Sequence, residues 1–257
     1  MKFSANLGFL FTEHPLPEAI HQAASAGFDA VECHFPFDVP ANEVSAALRE
    51  TGLPMLGLNA RPGQIELGEF GLAALPDRAA EAQEAIVEAV AYAQSIGAAN
   101  IHIMAGKTDG GSNAEATFRD NLHFACEKAA TAGKTILIEP INHKDVPGYH
   151  LSRIAHAADL IADLGQENLK LMFDCYHAAI METELEDLLA QHLPIIGHIQ
   201  IAATPDRGEP DEGDMDYCAL LTHLKSLGYD RPIGAEYRPR SGNTSQGLGW
   251  LKEFKTL

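Results

Sequence analysis

Short apolar runs rich in β-branched residues alternate with longer amphipathic segments along the whole chain. The clearest is Thr135-Ile136-Leu137-Ile138-Glu139-Pro140-Ile141-Asn142, an unbroken apolar run that ends in one carboxylate and then a proline. Such a run reads as a strand buried on both faces, and the proline ends regular pairing just past the acid. The same pattern predicts strands at residues 2–10, 28–35, 53–59, 99–104, 135–139, 169–174, 197–202 and 233–237. Between them the period lengthens to that of helices, at 16–27, 41–52, 77–97, 114–133, 152–165, 184–192, 217–228 and 245–254, several stopped by glycine. A Gly- and Pro-punctuated loop at 61–76 is the longest irregular stretch.

Eight strand–helix units without a Ser/Pro linker predict one domain, a single (β/α)₈ TIM barrel over residues 1–257. A doubly wound open sheet is the competing architecture, but it has no reason to stop at eight. The 46% apolar content suffices for the core of a barrel. Charge narrows the partners: 18 basic against 36 acidic residues give a formal net charge of −18. That surface repels nucleic acids and anionic membranes, yet a small anionic substrate needs only one or two local cations. Residues 1–13 lack the layout of a secretory signal, and no stretch approaches about 18 uninterrupted apolar residues. Cys33, Cys126, Cys175 and Cys218 are far apart with no CxxC pair, which reads as reduced thiols in a cytoplasmic protein.

In a barrel of this kind the active site lies at the carboxyl ends of the strands. The ends of strands five to eight read Ile-Glu139-Pro, Phe-Asp174-Cys-Tyr-His177, Ile-Gln200-Ile and Ala-Glu236-Tyr. Each polar group interrupts an apolar strand at the same end, about one strand–helix unit after the last, so the four are expected to face one point. Three carboxylates and an amide oxygen form an all-oxygen set suited to a hard divalent cation such as Mg²⁺ or Mn²⁺, whereas zinc would favour more His or Cys. Three converging carboxylates without a cation would repel one another and raise their pKa values.

The segments Asn6-Leu7-Gly8-Phe9-Leu10-Phe11-Thr12-Glu13, His102-Ile103-Met104-Ala105-Gly106 and Ile138-Glu139-Pro140-Ile141-Asn142 carry a resemblance. So do Gln200-Ile201-Ala202, Arg207-Gly208-Glu209-Pro210-Asp211-Glu212-Gly213 and Gly234-Ala235-Glu236-Tyr237-Arg238-Pro239. Together they resemble the hydroxypyruvate isomerase family, within the xylose-isomerase-like barrels, over nearly the whole chain. The resemblance implies Glu139 and Glu236 as paired proton donor and acceptor, and Glu139, Asp174, Gln200 and Glu236 as metal ligands. His177 and Arg207 match the substrate-contacting histidine and arginine of related ketose epimerases. Those epimerases carry histidine where this chain has Gln200, which favours the isomerase branch over a ketose 3-epimerase.

Moving a carbonyl between adjacent carbons requires removing one α-proton and returning a proton next door. A metal beside the substrate oxygens would stabilise the enediolate, and Glu139 and Glu236 could address opposite sides of a small hydroxy-oxo acid. The expected reaction is hydroxypyruvate to 2-hydroxy-3-oxopropanoate, with a four-carbon 2-oxo acid (2-oxo-tetronate) as the near alternative. For the substrate carboxylate Arg207 is the first choice of cation, because a guanidinium grips a carboxylate with two bonds; Lys107 is second and Arg61 third. The plain alternative pairs Arg207 with Glu209 or Asp211 in its own loop. His102 reads as a hydrogen-bonded core histidine, His198 as a packed neighbour of Gln200, and Glu32, His34 and Asn59 as pocket lining. Tyr92 reads as packing or a subunit contact; a homo-oligomer is compatible with this reading, but no stretch demands one. A metal-dependent DNA-repair endonuclease uses the same barrel type, but the charge and the lack of a His-rich trinuclear pattern oppose it. The intact Glu139/Glu236 pair opposes a catalytically dead sugar-acid-binding protein.

Overall fold

Eight parallel strands close on themselves in the computed structural model, which describes residues 1–257 in full. The strands are β1 (Phe3–Asn6), β2 (Ala30–Glu32), β3 (Gly57–Asn59), β4 (Asn100–His102), β5 (Thr135–Ile138), β6 (Leu169–Asp174), β7 (Ile196–Ile201) and β8 (Ile233–Ala235). Each neighbours the next, and β8 pairs with β1. The β2–β3 seam is closed by backbone bonds, with Val31 N donating to Pro54 O (3.0 Å), Leu56 N to Val31 O (2.7 Å) and Cys33 N to Gly57 O (3.1 Å). The outer ring comprises α1 (Leu16–Ser25), α2 (Ala41–Thr51), α3 (Ala79–Ile96), α4 (Ser112–Thr131), α5 (Ile154–Leu164), α6 (Cys175–Met181), α7 (Leu185–His192), α8 (Tyr217–Ser226) and α9 (Gly249–Phe254). The architecture is the (β/α)₈ barrel that the alternation predicts.

Several apolar runs outlast their strands. After Asn6 the chain turns at once, with Leu10 N donating to Asn6 O (2.8 Å), so Leu7 and Leu10 are buried in a loop rather than in β1. Apolarity reports burial, and a buried turn looks like a strand extension. Helix α6 is not among the predicted helices. It begins directly after β6, capped by Asp174 Oδ1, which accepts from Tyr176 N at 2.8 Å.

Alternation along the strands separates two faces. Phe3 points outward and meets the Trp250 ring edge-on, centroids 5.2 Å apart, while Trp250 Nε1 donates to the Tyr237 hydroxyl (3.2 Å). Inward positions become polar toward the carboxyl ends. Register places Asp174 opposite Gln200 and Gln200 opposite Gly234, so neighbouring strands deliver side chains to one level. Gly234 is the gap that admits them: a Cβ there would overlap Glu32 Oε1 and come within 2.8 Å of Gln200 Cγ and His198 Nε2. Gly234→Ala is therefore expected to cost about 1–3 kcal/mol, the usual penalty of overpacking a filled interior. Urea unfolding would show it as a lowered midpoint at unchanged slope; an unaltered midpoint would refute the packing argument.

Candidate active site

Glu139 follows β5 by one residue and Glu236 follows β8 by one, while Asp174 ends β6 and Gln200 lies near the end of β7. All four residues are buried, none more than 7% exposed. An ionised carboxylate is costly there unless partnered, and the partners differ sharply among the three acids.

Glu236 is the best supplied. Its Oε1 accepts from Asn6 Nδ2 (2.8 Å) and meets His34 Nε2 (2.9 Å), and its Oε2 accepts from Arg207 Nη2 (2.5 Å). Asp174 Oδ2 accepts from the same Nη2 at 3.1 Å. Arg207 thus joins two candidate ligands, its guanidinium stacked between Phe9 and Tyr176, 5.1 and 4.9 Å from the ring centres. The pairing with Glu209 or Asp211 does not form. Glu209 instead takes Arg240, whose Nε lies 2.7 Å from its Oε2. Arg207 reaches inward because its backbone adopts a left-handed φ of 55°, fixed by bonds from Arg207 N to Ala203 O and from Arg238 N to Arg207 O, both 2.8 Å.

Glu139 has no such donors; its Oε1 has no hydrogen-bond partner, and His102 Nδ1 stands 3.7 Å from Oε2. His102 also departs from expectation, since neither ring nitrogen makes a hydrogen bond. Burial alone would raise Glu236, but the Arg207 charge and the His34 contact outweigh it, and the carboxyl titrates well below its ordinary range. Burial, with the charges of Glu236 and Asp174, pushes Glu139 well above that range. Asp174 rises to about 7, burial outweighing the pull of Arg207. His102 falls to about 3 through burial, and His177 to about 3 through burial and the nearby Arg207, so both rings are neutral.

The hydrogen-bond network fixes which His177 nitrogen carries its proton. Asn142 Oδ1 accepts from the Asp145 backbone N–H (2.8 Å), so its amide nitrogen must be the atom facing Asp145 Oδ2 (3.1 Å) and His177 Nδ1 (2.6 Å). Nδ1 is then the acceptor and Nε2 bears the hydrogen. That Nε2–H faces the cluster, 3.8 Å from Glu139 Oε1 and 3.7 Å from Asp174 Oδ2. Glu139, Asp174 and His177 bring their ligand atoms within 4.8 Å of one another. The tautomer nevertheless makes His177 a donor rather than a ligand. Gln200 behaves oppositely: its Nε2 donates to Glu32 Oε1 (3.3 Å), which leaves its buried Oε1 without a partner. His198 Nε2 stands 2.6 Å from the other carboxylate oxygen of Glu32, without making a hydrogen bond. Two partnerless buried oxygens, on Glu139 and Gln200, beside Asp174 and Glu236 fit a hard divalent cation.

The two other proposed cations are not brought to this cluster. Lys107 leaves at Gly106, where φ is 98°, and its exposed ammonium donates to Gly68 O (2.7 Å). Arg61 binds Glu88 (Nε to Oε2, 2.7 Å) and Asp38 at the surface. Asn6, Asn142, Phe9 and Tyr176 had no role assigned from the sequence. Asn6 and Phe9, on the segment that leaves β1, and Asn142, beside Glu139-Pro140, were the available signals. Arg238, 5.6 Å from the Phe9 ring centre, is the other cation at this aromatic.

Comparison with known proteins gives the family. The family model of the xylose isomerase-like TIM barrel matches residues 20–254. A 2-oxo-tetronate isomerase of Cupriavidus necator is 45% identical, the match covering 98% of each chain. The hydroxypyruvate isomerase of Escherichia coli is 37% identical over 99% of this chain and 100% of its own. A crystal structure from Brucella melitensis, described as an AP endonuclease of family 2, superposes with a TM-score of 0.94 at 37% identity, covering 98% of each chain.

The charge imbalance has a measurable consequence in chelator-treated protein. Below the ordinary histidine range the neutral His102 and His177 offset the protons held on Asp174 and Glu139, but from about pH 6.5 upward the folded chain holds more protons than the unfolded one, on those two acids. Stability should therefore fall as pH rises through that window. Glu236, depressed, acts the other way, losing stability only as pH drops below the ordinary range. Urea midpoints from about pH 6.5 to 8 should decline with EDTA and flatten with Mn²⁺; a rise with pH in EDTA over that range would contradict the charge assignment.

Proposed function

The chain belongs to the xylose isomerase-like TIM-barrel family, in the group of hydroxypyruvate and 2-oxo-tetronate isomerases, and on that premise we propose that it interconverts hydroxypyruvate and 2-hydroxy-3-oxopropanoate. The observation that carries this reading is the pair Glu139 and Glu236, buried at the carboxyl ends of β5 and β8 beside partnerless oxygens of Glu139 and Gln200. The reaction is redox-neutral: a proton leaves C3 and one is added at C2, while the hydroxyl proton passes from O3 to O2. One glutamate removes the carbon-bound proton and the other, or the same one, returns it. Asn6 and His34 hold Glu236 by one oxygen, so its orientation is set before substrate arrives. His177 donates its Nε2–H to the substrate oxygen that gains charge, an arrangement that stabilises the transition state more than the ground state. Arg207, engaged through Nε and Nη2, offers its remaining nitrogen to the substrate carboxylate. Mg²⁺ or Mn²⁺ held by Glu139, Asp174, Gln200 and Glu236 would supply positive charge for the enediolate.

A second reading, isomerisation of 2-oxo-tetronate, is favoured by the 45% identity to the Cupriavidus necator enzyme. It uses the same groups on a substrate one hydroxymethylene longer. The two are separated by incubating the protein with each acid in D₂O, with and without Mn²⁺, and following the α-carbon by NMR. Deuterium uptake with the carbonyl moved to C3 is expected, giving an aldehyde from hydroxypyruvate and a 3-oxo acid from the four-carbon acid, and Glu139→Gln or Glu236→Gln should each slow it by about 10²–10⁴-fold. Turnover of the four-carbon acid alone would select the second reading. Absence of exchange with both would exclude enediol isomerisation.

A further inference from the structure

Outside the barrel mouth, Glu115, His150 and His156 converge on one point. Glu115 lies in the first turn of α4, His150 in the loop between β5 and α5, and His156 near the start of α5. Both imidazole Nε2 atoms stand 3.0 Å from the same carboxylate oxygen, Glu115 Oε2, and the three ligand atoms lie within 4.8 Å of one another. Donors around a tetrahedral zinc ion at ~2.0–2.1 Å are about 3.3 Å apart, so these contacts need to open by only a few tenths of an ångström.

The supporting contacts are those of a metal site rather than of a chance surface pair. His150 is 4% exposed in its side chain, and its ring is fixed edge-on against Phe118, centroids 5.6 Å apart. Its far nitrogen, Nδ1, meets Thr108 Oγ1 at 2.9 Å. A hydroxyl donates or accepts, so the ring can turn over its proton and present a lone pair at Nε2 while keeping that bond. The other carboxylate oxygen of Glu115 takes Arg119 Nε at 2.7 Å, which aims Oε2 at the imidazoles. Outer partners of this kind orient ligands in metal sites. His156 and Glu115 keep 33% and 29% of their side-chain surface, which leaves an open side for entry and for a solvent ligand.

We propose that Glu115, His150 and His156 form a second metal site that takes one borderline divalent ion of the Zn²⁺ class through two imidazoles and one carboxylate. It is independent of the isomerase reading and differs in kind from the all-oxygen set in the barrel mouth. Its place gives it a task. His150 N donates to Gly106 O and Thr108 N to Gly148 O, each at 2.9 Å, so the site clasps the loop after β4 to the loop after β5. The latter loop also carries Asn142, which sets the proton position of His177. An ion there fastens the segment that orients a residue of the mouth.

The test is a Zn²⁺ and Co²⁺ titration of chelator-treated protein, wild type beside His156→Gln, His150→Gln and Asp174→Asn, with folding checked by circular dichroism. A Co²⁺ visible spectrum of four-coordinate type and one Zn²⁺ equivalent should persist in Asp174→Asn. Both should be lost, or weakened by at least about tenfold, in the two histidine variants. Zn²⁺ should also slow amide exchange over residues 143–151 in wild type but not in His156→Gln. Folded histidine variants that bind as many equivalents as wild type, equally tightly, would overturn the proposal. So would loss of the equivalent only in Asp174→Asn.

Discussion

Desolvation of carboxylates at the barrel mouth is the constraint to which the rest of the structure answers. Glu139, Asp174 and Glu236 are each at most 7% exposed, and a single guanidinium is shared between two of them. A buried charge that loses its partner typically costs about 3–5 kcal/mol, so each stabilising contact is placed with little freedom. Asn6 at the end of β1, His34 beyond β2 and Arg207 beyond β7 all converge on Glu236. Parallel register makes this convergence cheap in chain terms, because neighbouring strands end at one level of the barrel. The compensation stops short of Glu139, and that shortfall is the chemical content of the site.

Backbone strain occurs where the compensation is made, as well as at Phe11 and Glu184. A non-glycine residue at φ 55° costs on the order of 1–3 kcal/mol, and Arg207 adopts it. The strain is held by its two backbone bonds, by two aromatic rings and by the two carboxylates that its guanidinium reaches. A more relaxed backbone would leave Arg207 free to pair with the acids of its own loop. Glu209 is kept from it by Arg240, which also pairs with Glu212. Arg240, from the segment after β8, thus engages Glu209 and Glu212 of the acidic loop and frees Arg207 to serve the interior.

What was legible in the sequence follows the same physics. Glu139, Asp174, Gln200 and Glu236 could be read because a polar residue interrupting a buried strand is conspicuous, and barrel topology aligns such interruptions. Helix α6 was not, since Cys175-Tyr176-His177-Ala178-Ala179-Ile180-Met181 continues the apolar run of β6 with no glycine or proline to mark the change. Asp174 is the only cap signal there, and a carboxylate at a strand end signals a ligand as readily as a cap. Lys107 and Arg61 follow strands four and three, as a pocket cation would, but their destinations depend on loop paths and on Gly68 and Glu88. The tautomer of His177 was out of reach for a similar reason, resting on Asn142 and on an Asp145 backbone N–H that only the folded loop supplies.

The division between strand ends and loops explains how closely related chains can differ in substrate. On the proposed chemistry the proton moves between adjacent carbons beside the carboxylate of the substrate, and the groups that move it sit on or immediately after β5 to β8. Those positions are fixed by register and cannot follow a longer substrate. A fourth carbon must extend away from them, toward side chains carried by loops, among which Phe9, Tyr176 and Arg238 stand nearest to Arg207 or its stacking ring. A hydroxymethylene that meets no dedicated hydrogen-bond partner changes discrimination by only about 1–3 kcal/mol. Modest repacking of those loops is enough to shift preference between three and four carbons while the charged interior stays as it is.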